Sequence, residues 1–190
     1  MRRIAAGISR RWGRGTWQAS CQRGVTLIEL MVTLAVLAVL LSIAVPSFNE
    51  ISLSSRLRSY STDLVASALL ARSEAIKRNA AVRLCVSSDG ASCGSGNWEQ
   101  GWIVLTGASG SGTVLQRQTA LAEGYVVDAK SGTTDIDVVT FQPSGVGSTQ
   151  ATLRICRASP TVGSQERLVK ISATGHTSVD KTSDGSCSSS

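Results

Sequence analysis

The sequence predicts an α+β protein in which a long, kinked N-terminal α-helix packs on a head of mainly antiparallel β-sheet. Two observations predict this class. Residues 25–45 form an apolar run with one charge, Glu29, and a helical spacing of apolar residues resumes after Pro46. From Ala80 onward, short alternating segments are separated by Gly, Pro, Ser and Asp, which is typical of strands joined by turns.

The apolar run from Val25 to Val45 is long enough to cross a membrane as a helix. Its 21 residues span about 32 Å at ~1.5 Å each, and a hydrocarbon core is about 30 Å thick. A carboxylate at the centre of such a helix costs about 2.5–3.5 kcal/mol, so we expect a positive charge to compensate Glu29. The alternatives are a secretory signal peptide, whose apolar core is shorter, and a plain membrane anchor, which requires no Glu at this offset.

The second half of the helix is predicted from its apolar spacing. Pro46 lacks a backbone donor and crowds the preceding turn, so a kink rather than a stop is expected there. The helix should cover residues 25–79, of which 25–45 form a membrane or filament-core part and 46–79 an amphipathic part, and it should end near Asn79. The predicted stripe contains Leu53, Leu57, Tyr60, Leu64, Ala68, Ala71 and Ala75.

The start of the helix carries a motif, Gly24-Val25-Thr26-Leu27-Ile28-Glu29-Leu30. It resembles the prepilin motif of type IV pilins and type II secretion pseudopilins. The resemblance implies that residues 1–24 are a leader, that a prepilin peptidase cuts between Gly24 and Val25, and that Val25 is then N-methylated. Glu29 becomes the fifth residue and Pro46 the twenty-second, as in the family. Val25 departs from the family, which usually has Phe there, and the leader is longer than many.

The distribution of charge agrees with a removed leader. The chain has 19 basic and 13 acidic residues, and six of the basic residues lie before Gly24, so the processed chain has 13 of each. Because a basic footprint is then absent, the charge argues against nucleic-acid binding by the processed chain. A basic segment before an apolar helix keeps the N-terminus cytoplasmic. This orientation predicts a single-pass protein whose C-terminal part crosses the membrane, and the resemblance implies that the membrane is the bacterial inner membrane and that the head lies in the periplasm.

The head, residues 80–190, is predicted to be rich in strands. A hairpin is expected around the glycine-rich segment 107–112, and a polar, mobile tail is expected from Lys181 to Ser190, apart from Cys187. Short connections favour antiparallel pairing. The predicted strands are 81–86, 102–105, 113–117, 125–128, 137–141, 152–156 and 167–172.

Four cysteines remain after the leader is removed, and an even number in an exported domain predicts disulfides. Four cysteines allow three pairings. We favour Cys85–Cys93, which closes a short Gly/Ser loop, together with Cys156–Cys187, which holds the polar tail. The alternative is four unpaired thiols. A metal site is disfavoured because the chain has no Cys-x-x-Cys and its only histidine is His176.

The head carries a second resemblance, in Trp98-Glu99-Gln100-Gly101-Trp102 and in Ile171-Ser172-Ala173-Thr174-Gly175. These segments are similar to the GspH/FimT group of pseudopilins and minor pilins. The resemblance implies a type IV pilin-like fold. It also implies a subunit, at the tip or in the initiation complex of a type II secretion pseudopilus or a type IV pilus, whose partners are other pilins or pseudopilins and an inner-membrane assembly platform. Plain core packing is the alternative interpretation of both tryptophans.

No catalytic constellation, cofactor motif or metal-ligand cluster stands out, so the sequence predicts no enzyme. His176 lies in a turn-like segment, and Asp135 and Asp137 are interpreted as solvated loop charges. The segment 107–112 lacks the Gly-Lys-Ser/Thr ending of a phosphate loop. A pilus-displayed receptor for DNA uptake or adhesion is the alternative function. Some FimT-like pilins bind DNA through Gly-Arg-x-Arg, but the matching segment 175–178 lacks both arginines.

Overall fold

The computed structural model describes residues 24–107, 112–146, 149–158, 166–182 and 187. Most of the predicted leader, the centre of the glycine-rich hairpin turn and most of the predicted mobile tail therefore lie outside the described residues. The chain divides into two compact units, residues 1–42 and 43–190. A single helix, α1 (Leu27–Arg78, 52 residues), begins in the first unit and ends in the second.

In the first unit, α1 is apolar apart from Glu29 and a few hydroxyl groups, and every described side chain is exposed. Thr26 caps its start, because the Thr26 hydroxyl accepts a hydrogen bond from the Glu29 backbone N–H at 3.3 Å. The Thr33 hydroxyl donates to the Leu30 carbonyl at 2.9 Å. A hydroxyl satisfied in this way by its own helix is compatible with an apolar environment.

In the second unit, α1 continues through Pro46 and buries the predicted apolar stripe. Leu57, Leu64, Ala68 and Ala71 have no exposed surface, which confirms the 3.6-residue spacing as the packing face. The helix ends at Arg78, and Asn79 adopts the left-handed conformation with φ 49° that commonly terminates helices. The kink at Pro46 stays a prediction.

The described residues of the head form one 3₁₀ turn (Trp98–Gln100) and nine strands in two antiparallel sheets. One sheet has the order β3-β2-β1-β6 and the other the order β5-β4-β7-β8-β9. The strands are β1 (Val82–Val86), β2 (Trp102–Thr106), β3 (Val114–Gln118), β4 (Tyr125–Ser131), β5 (Thr134–Asp135), β6 (Val138–Phe141), β7 (Ala151–Arg157), β8 (Glu166–Ile171) and β9 (Thr177–Thr182).

All seven predicted strands are present, and the two additional strands, β5 and β9, are the least apolar. β5 has only two residues, both exposed. β9 forms the edge of the five-stranded sheet and pairs with β8 through backbone hydrogen bonds, from Thr182 opposite Glu166 to Thr177 opposite Ile171. The prediction of a mobile tail from Lys181 was therefore wrong for Lys181 and Thr182, which are ordered by β-pairing rather than by apolar burial.

The core lies where α1 packs against one face of both sheets. A continuous buried cluster joins the helical stripe to Leu84, Val104, Phe141 and Leu153. A smaller cluster of Cys85, Ile103 and Leu105 lies on the alternate positions of β1 and β2. Because side chains alternate along a strand, the four-stranded sheet is covered on both faces.

Candidate assembly segment and its supporting head

The segment that carries the prepilin-like motif is fully exposed in the single chain. The side chains of Val25 and Leu27 are 69% and 76% exposed. A Cβ added to Gly24 would meet nothing within 4 Å. Among the described residues, therefore, no packing contact requires glycine at this position.

Glu29 forms no ion pair with any residue in the part of the chain that the structure describes. Its surroundings from Val25 to Val45 contain no other charge. By length and composition α1 could cross a membrane, since one stretch of 18 of its residues has a mean hydropathy of 2.6. In such a setting the compensating cation for Glu29 must come from outside the described chain.

The four cysteines of the head form two disulfides, Cys85–Cys93 with Cα atoms 5.5 Å apart and Cys156–Cys187 with Cα atoms 5.8 Å apart. The first closes the loop between β1 and the 3₁₀ turn. The second joins β7 to the residues after β9. These are the two pairs that the sequence favoured.

Both tryptophans of the motif-like segment lie in the core, which confirms the simpler interpretation. Trp98 and Trp102 are 2% and 1% exposed. The Trp98 indole donates to the Ile136 carbonyl at 2.7 Å, and the Trp102 indole donates to the Ser67 hydroxyl at 3.0 Å. The two rings therefore connect the 3₁₀ turn and β2 to neighbouring elements and offer no exposed aromatic surface.

The segment that matches the FimT-type Gly-Arg-x-Arg position forms a tight contact that the sequence did not predict. Arg72 of α1 donates to the Gly175 carbonyl at 3.3 Å. A Cβ added to Gly175, whose φ is +72°, would lie 2.4 Å from the Gly145 carbonyl oxygen. Gly175 is thus required by close packing of two turns, and His176 beside it is exposed, as predicted for a turn histidine.

The carboxylates that the sequence analysis singled out can be placed in the head. Asp135 lies in β5 rather than in a loop, and its exposed carboxylate is 3.8 Å from the ammonium group of Lys130. Within the described ranges, no group of three or more His, Cys, Asp or Glu residues could hold a metal ion.

Two family models match the chain. One, described as type II transport protein GspH, matches residues 61–175. The other, described as the prokaryotic N-terminal methylation motif, matches residues 19–45. Together they cover the motif-bearing segment and most of the head.

Individual proteins and solved structures are also similar to parts of the chain. The pilin-like protein PilA1 of Thermus thermophilus is 44% identical over 72 residues, which is 37% of this chain and 44% of that protein. The chain thus matches less than half the length of this relative. The crystal structure of the minor pilin FimU of Pseudomonas aeruginosa superimposes with a TM-score of 0.53 and 25% identity, covering 66% of this chain and 89% of that one. The minor pseudopilin EpsH of Vibrio cholerae covers 68% and 98%, with 18% identity and a TM-score of 0.47.

Proposed function

Because the chain belongs to the GspH family of minor pilins and pseudopilins, we propose that it is cut between Gly24 and Val25 and assembles by α1 into a filament. Val25 becomes the new, methylated N-terminus. The filament is a type II secretion pseudopilus or a type IV pilus, in which the subunit acts at the tip or in the initiation complex. No described residue would contact a Cβ at Gly24, and this open space supports recognition of the Gly24–Val25 bond by a prepilin peptidase.

The observation that carries the proposal is the isolation of Glu29. It is the one charge between Val25 and Val45, and it lacks an ion pair among the described residues. Cleavage creates a cationic amine on Val25 of each subunit. The carboxylate of Glu29 can pair with the amine of a neighbouring subunit, which offsets the cost of burying both charges and sets the axial register. Repetition of such a head-to-tail contact gives an open filament rather than a closed ring.

The location follows from the same features. Residues 25–45 anchor the subunit in the inner membrane as a single span before assembly, and Pro46 begins the amphipathic part of the helix. The head then lies in the periplasm. Two disulfides within it are consistent with that oxidising compartment. The remaining partners are an inner-membrane assembly platform and other pilins or pseudopilins, and the subunit acts by assembly rather than by catalysis.

The test compares Glu29→Ala with the native chain in cells that assemble the filament. We expect normal processing, with a purified mass that begins at methylated Val25. We expect incorporation into sheared filaments to fall at least about tenfold, because an unpaired buried charge costs about 3–5 kcal/mol.

The matched control is Glu50→Ala, which removes another exposed carboxylate of α1 outside the apolar run. Native-like incorporation of Glu50→Ala is expected. If Glu29→Ala also incorporates normally, the pairing is wrong, and a purified chain that begins at Met1 contradicts the processing step.

A further inference from the structure

The outer edge of β9 carries no further strand among the described residues. β9 is the last strand of the five-stranded sheet and pairs with β8 on its other side. Where the two strands meet their turn, the Ser172 N–H donates to the His176 carbonyl at 2.9 Å. Opposed residues of an antiparallel ladder alternate between pairs that exchange hydrogen bonds and pairs that do not. The Ser172–His176 bond therefore fixes which residues of β9 bond to β8.

Three residues of β9 direct their backbone N–H and C=O groups away from β8. Counted in twos from His176, Ser178 and Asp180 exchange hydrogen bonds with β8. Thr177, Val179 and Lys181 lie in the alternate pairs, so their backbone groups line the outer edge of the sheet. A row of donors and acceptors at this spacing is matched by another extended chain, which is why exposed edges pair with strands.

One line along α1 lies beside β8 and β9. Arg167 of β8, which is opposite Lys181, donates from its guanidinium to the Ser54 hydroxyl at 3.1 Å. At the other end of β9, Arg72 donates to the Gly175 carbonyl at 3.3 Å. Ser54 and Arg72 are 18 residues apart, which is about five complete helical turns, so they share one line of α1. We call it the contact line, and along it α1 runs opposite to β9.

Apolar side chains are exposed on both β9 and the adjoining face of α1. Val179 is 44% exposed, whereas Val169, opposite it on β8, is fully buried. On α1, Leu69 and Ile76 are 48% and 52% exposed. At ~100° per residue they lie within about 60° of the contact line. A strand added to the edge of β9 would place alternate side chains beside Val179 and this helix face.

Positive charge is concentrated at the end of the edge near Lys181. Lys181 is exposed and lies beside Arg167 in the ladder. Burial, and secondarily the charge of Arg58, lower the pKa of Arg167, so Arg58 is also close to this end. Lys181 and Arg58 form no ion pair with a described residue.

The carboxylates of the neighbouring elements lie elsewhere. Asp63 and Glu74 of α1 lie about 180° and 160° from the contact line. Glu50 precedes Arg58 by eight residues, a rise of about 12 Å. Asp180 belongs to the alternate face of β9, where it pairs with Lys170 at 2.7 Å. The exposed cations near Lys181 are therefore available to an acidic group of another molecule.

We propose that the outer edge of β9 binds an extended segment of a partner protein, which pairs antiparallel with residues 177–181 and carries a carboxylate opposite Lys181 and an apolar residue opposite Val179. The edge backbone groups require an extended polypeptide. The cations at one end and the apolar side chains beyond them select its side chains. This contact is made by the head and is separate from the proposed assembly through the apolar part of α1.

A second copy of this chain fits the edge less well. Two β9 strands paired antiparallel through their outer edges are related by a two-fold axis. Because α1 runs opposite to β9 along the contact line, the two α1 helices would then point in opposite directions. Subunits anchored in one membrane share one direction. This step rests on the membrane anchoring proposed above, whereas the binding of an extended segment does not.

The test uses the full chain, purified in a neutral detergent, and the peptide Thr-Glu-Thr-Val-Thr-Val-Thr-amide with a fluorescent dye at its N-terminus. In antiparallel pairing its glutamate lies opposite Lys181 and its first valine opposite Val179. Fluorescence anisotropy measures binding, and hydrogen–deuterium exchange measures backbone pairing. We expect saturable binding and slower exchange of the Thr177, Val179 and Lys181 amides. Binding without slower exchange at these amides, or no binding, would overturn the proposal.

Methylation of the peptide backbone tests the pairing without changing the protein. The N–H of the first valine faces β9 in the proposed pairing, so its N-methylation should weaken binding at least about tenfold. The matched control is N-methylation of the threonine just before it, whose N–H faces away from β9. This peptide should retain its binding, and equal losses for the two peptides would contradict pairing with the edge.

A pair of double variants tests the charge. Arg58→Gln/Lys181→Gln should weaken binding of the peptide about fivefold, because exposed ion pairs are weak. It should not affect a peptide that has glutamine in place of the glutamate. Lys77→Gln/Arg78→Gln removes the same charge from the end of α1 and should retain binding. Equal losses in the two double variants would contradict the acidic preference.

A dimer of the chain that the peptide disperses would identify a second copy as the occupant and overturn the proposal. Light scattering with and without the peptide measures this, and we expect no such change in mass. Since peptide binding is measured on unassembled protein, normal incorporation of Glu29→Ala would refute only the proposed filament contact, and loss of peptide binding would refute only the edge contact.

Discussion

The Trp102 indole N–H donates to the Ser67 hydroxyl at 3.0 Å, and Ser67 donates in turn to the Asp63 carbonyl at 2.8 Å. Both side chains are buried, with 1% and 0% of their surface exposed. The Ser67 hydroxyl therefore accepts a hydrogen bond from β2 and donates one to the backbone of its own helix. This pair fixes β2 against the second half of α1.

Ser67→Ala should lower the free energy of unfolding by about 1–3 kcal/mol, because it leaves the Trp102 N–H buried without its acceptor. Urea unfolding of the full chain in detergent, followed by tryptophan fluorescence, measures this. Ser73→Ala is the control. Its exposed hydroxyl donates only to the Leu70 carbonyl, so a change within about 0.5 kcal/mol is expected. Equal effects of the two substitutions would contradict the role of the Trp102–Ser67 bond.

Gly175→Ala should destabilise the head more than Gly132→Ala. Both glycines have positive φ, +72° and +64°, so each alanine incurs a backbone cost of about 1–2 kcal/mol. At Gly175 the new Cβ would also lie 2.4 Å from the Gly145 carbonyl oxygen, whereas at Gly132 it meets nothing within 4 Å. The urea concentrations at which the two variants are half unfolded measure the difference. Equal values would show that the turns at Gly175 and Gly145 can move apart without loss of stability.

The two disulfides should differ in their contribution to stability. Their sequence separations are 8 residues for Cys85–Cys93 and 31 residues for Cys156–Cys187. The loop-entropy relation gives about 2.5 kcal/mol for the shorter loop and about 3.7 kcal/mol for the longer. The test compares the free energies of unfolding of the double variants Cys85→Ser/Cys93→Ser and Cys156→Ser/Cys187→Ser, measured without reductant. The second double variant should lose more stability than the first. A larger loss from the Cys85/Cys93 pair would mean that packing of the buried Cys85 outweighs loop closure.

Asp89 should make the loop between β1 and the 3₁₀ turn sensitive to acid. Hydrogen bonds from the backbone N–H groups of Ser92 and Ala91, and then from the hydroxyls of Ser92 and Ser87, hold the pKa of Asp89 well below its ordinary value of 3.8. Because the folded pKa is depressed, the stabilisation is complete above pH 3.8 and is lost as the pH falls from there toward the folded pKa.

Asp89→Asn should therefore be less stable than the native chain at about pH 7, with a gap that narrows below about pH 3.8. Thermal unfolding over this pH range measures the gap. Asp135→Asn is the control, since the Asp135 side chain is 83% exposed and approaches Lys130 only to 3.8 Å. A gap for Asp89→Asn that does not change with pH would contradict the ionic origin of the effect.

The predictions that succeeded depended on repeating patterns. The stripe from Leu53 to Ala75 was visible because each apolar residue recurs at helical spacing, and the seven strands alternate between turn residues. β9 was missed because an edge strand is held by backbone hydrogen bonds, which any polar sequence can make. The hydrogen bonds of Arg72 to Gly175 and of Arg167 to Ser54 were missed because these partners lie 103 and 113 residues away in the chain, and local sequence patterns carry no information about such distant pairs.

By itself, the sequence determined the long helix with its single carboxylate, the change from helical to strand periodicity at Ala80, and the resemblance that assigned the family. These are local properties, set by the spacing and polarity of neighbouring residues. Only the tertiary structure decided that Trp102 is a core ring held by Ser67, that Gly175 packs against Gly145, and that Arg167 donates a hydrogen bond to Ser54 of α1. Such relationships arise when distant segments are packed together, and packing is selected by the whole chain rather than by any segment of it.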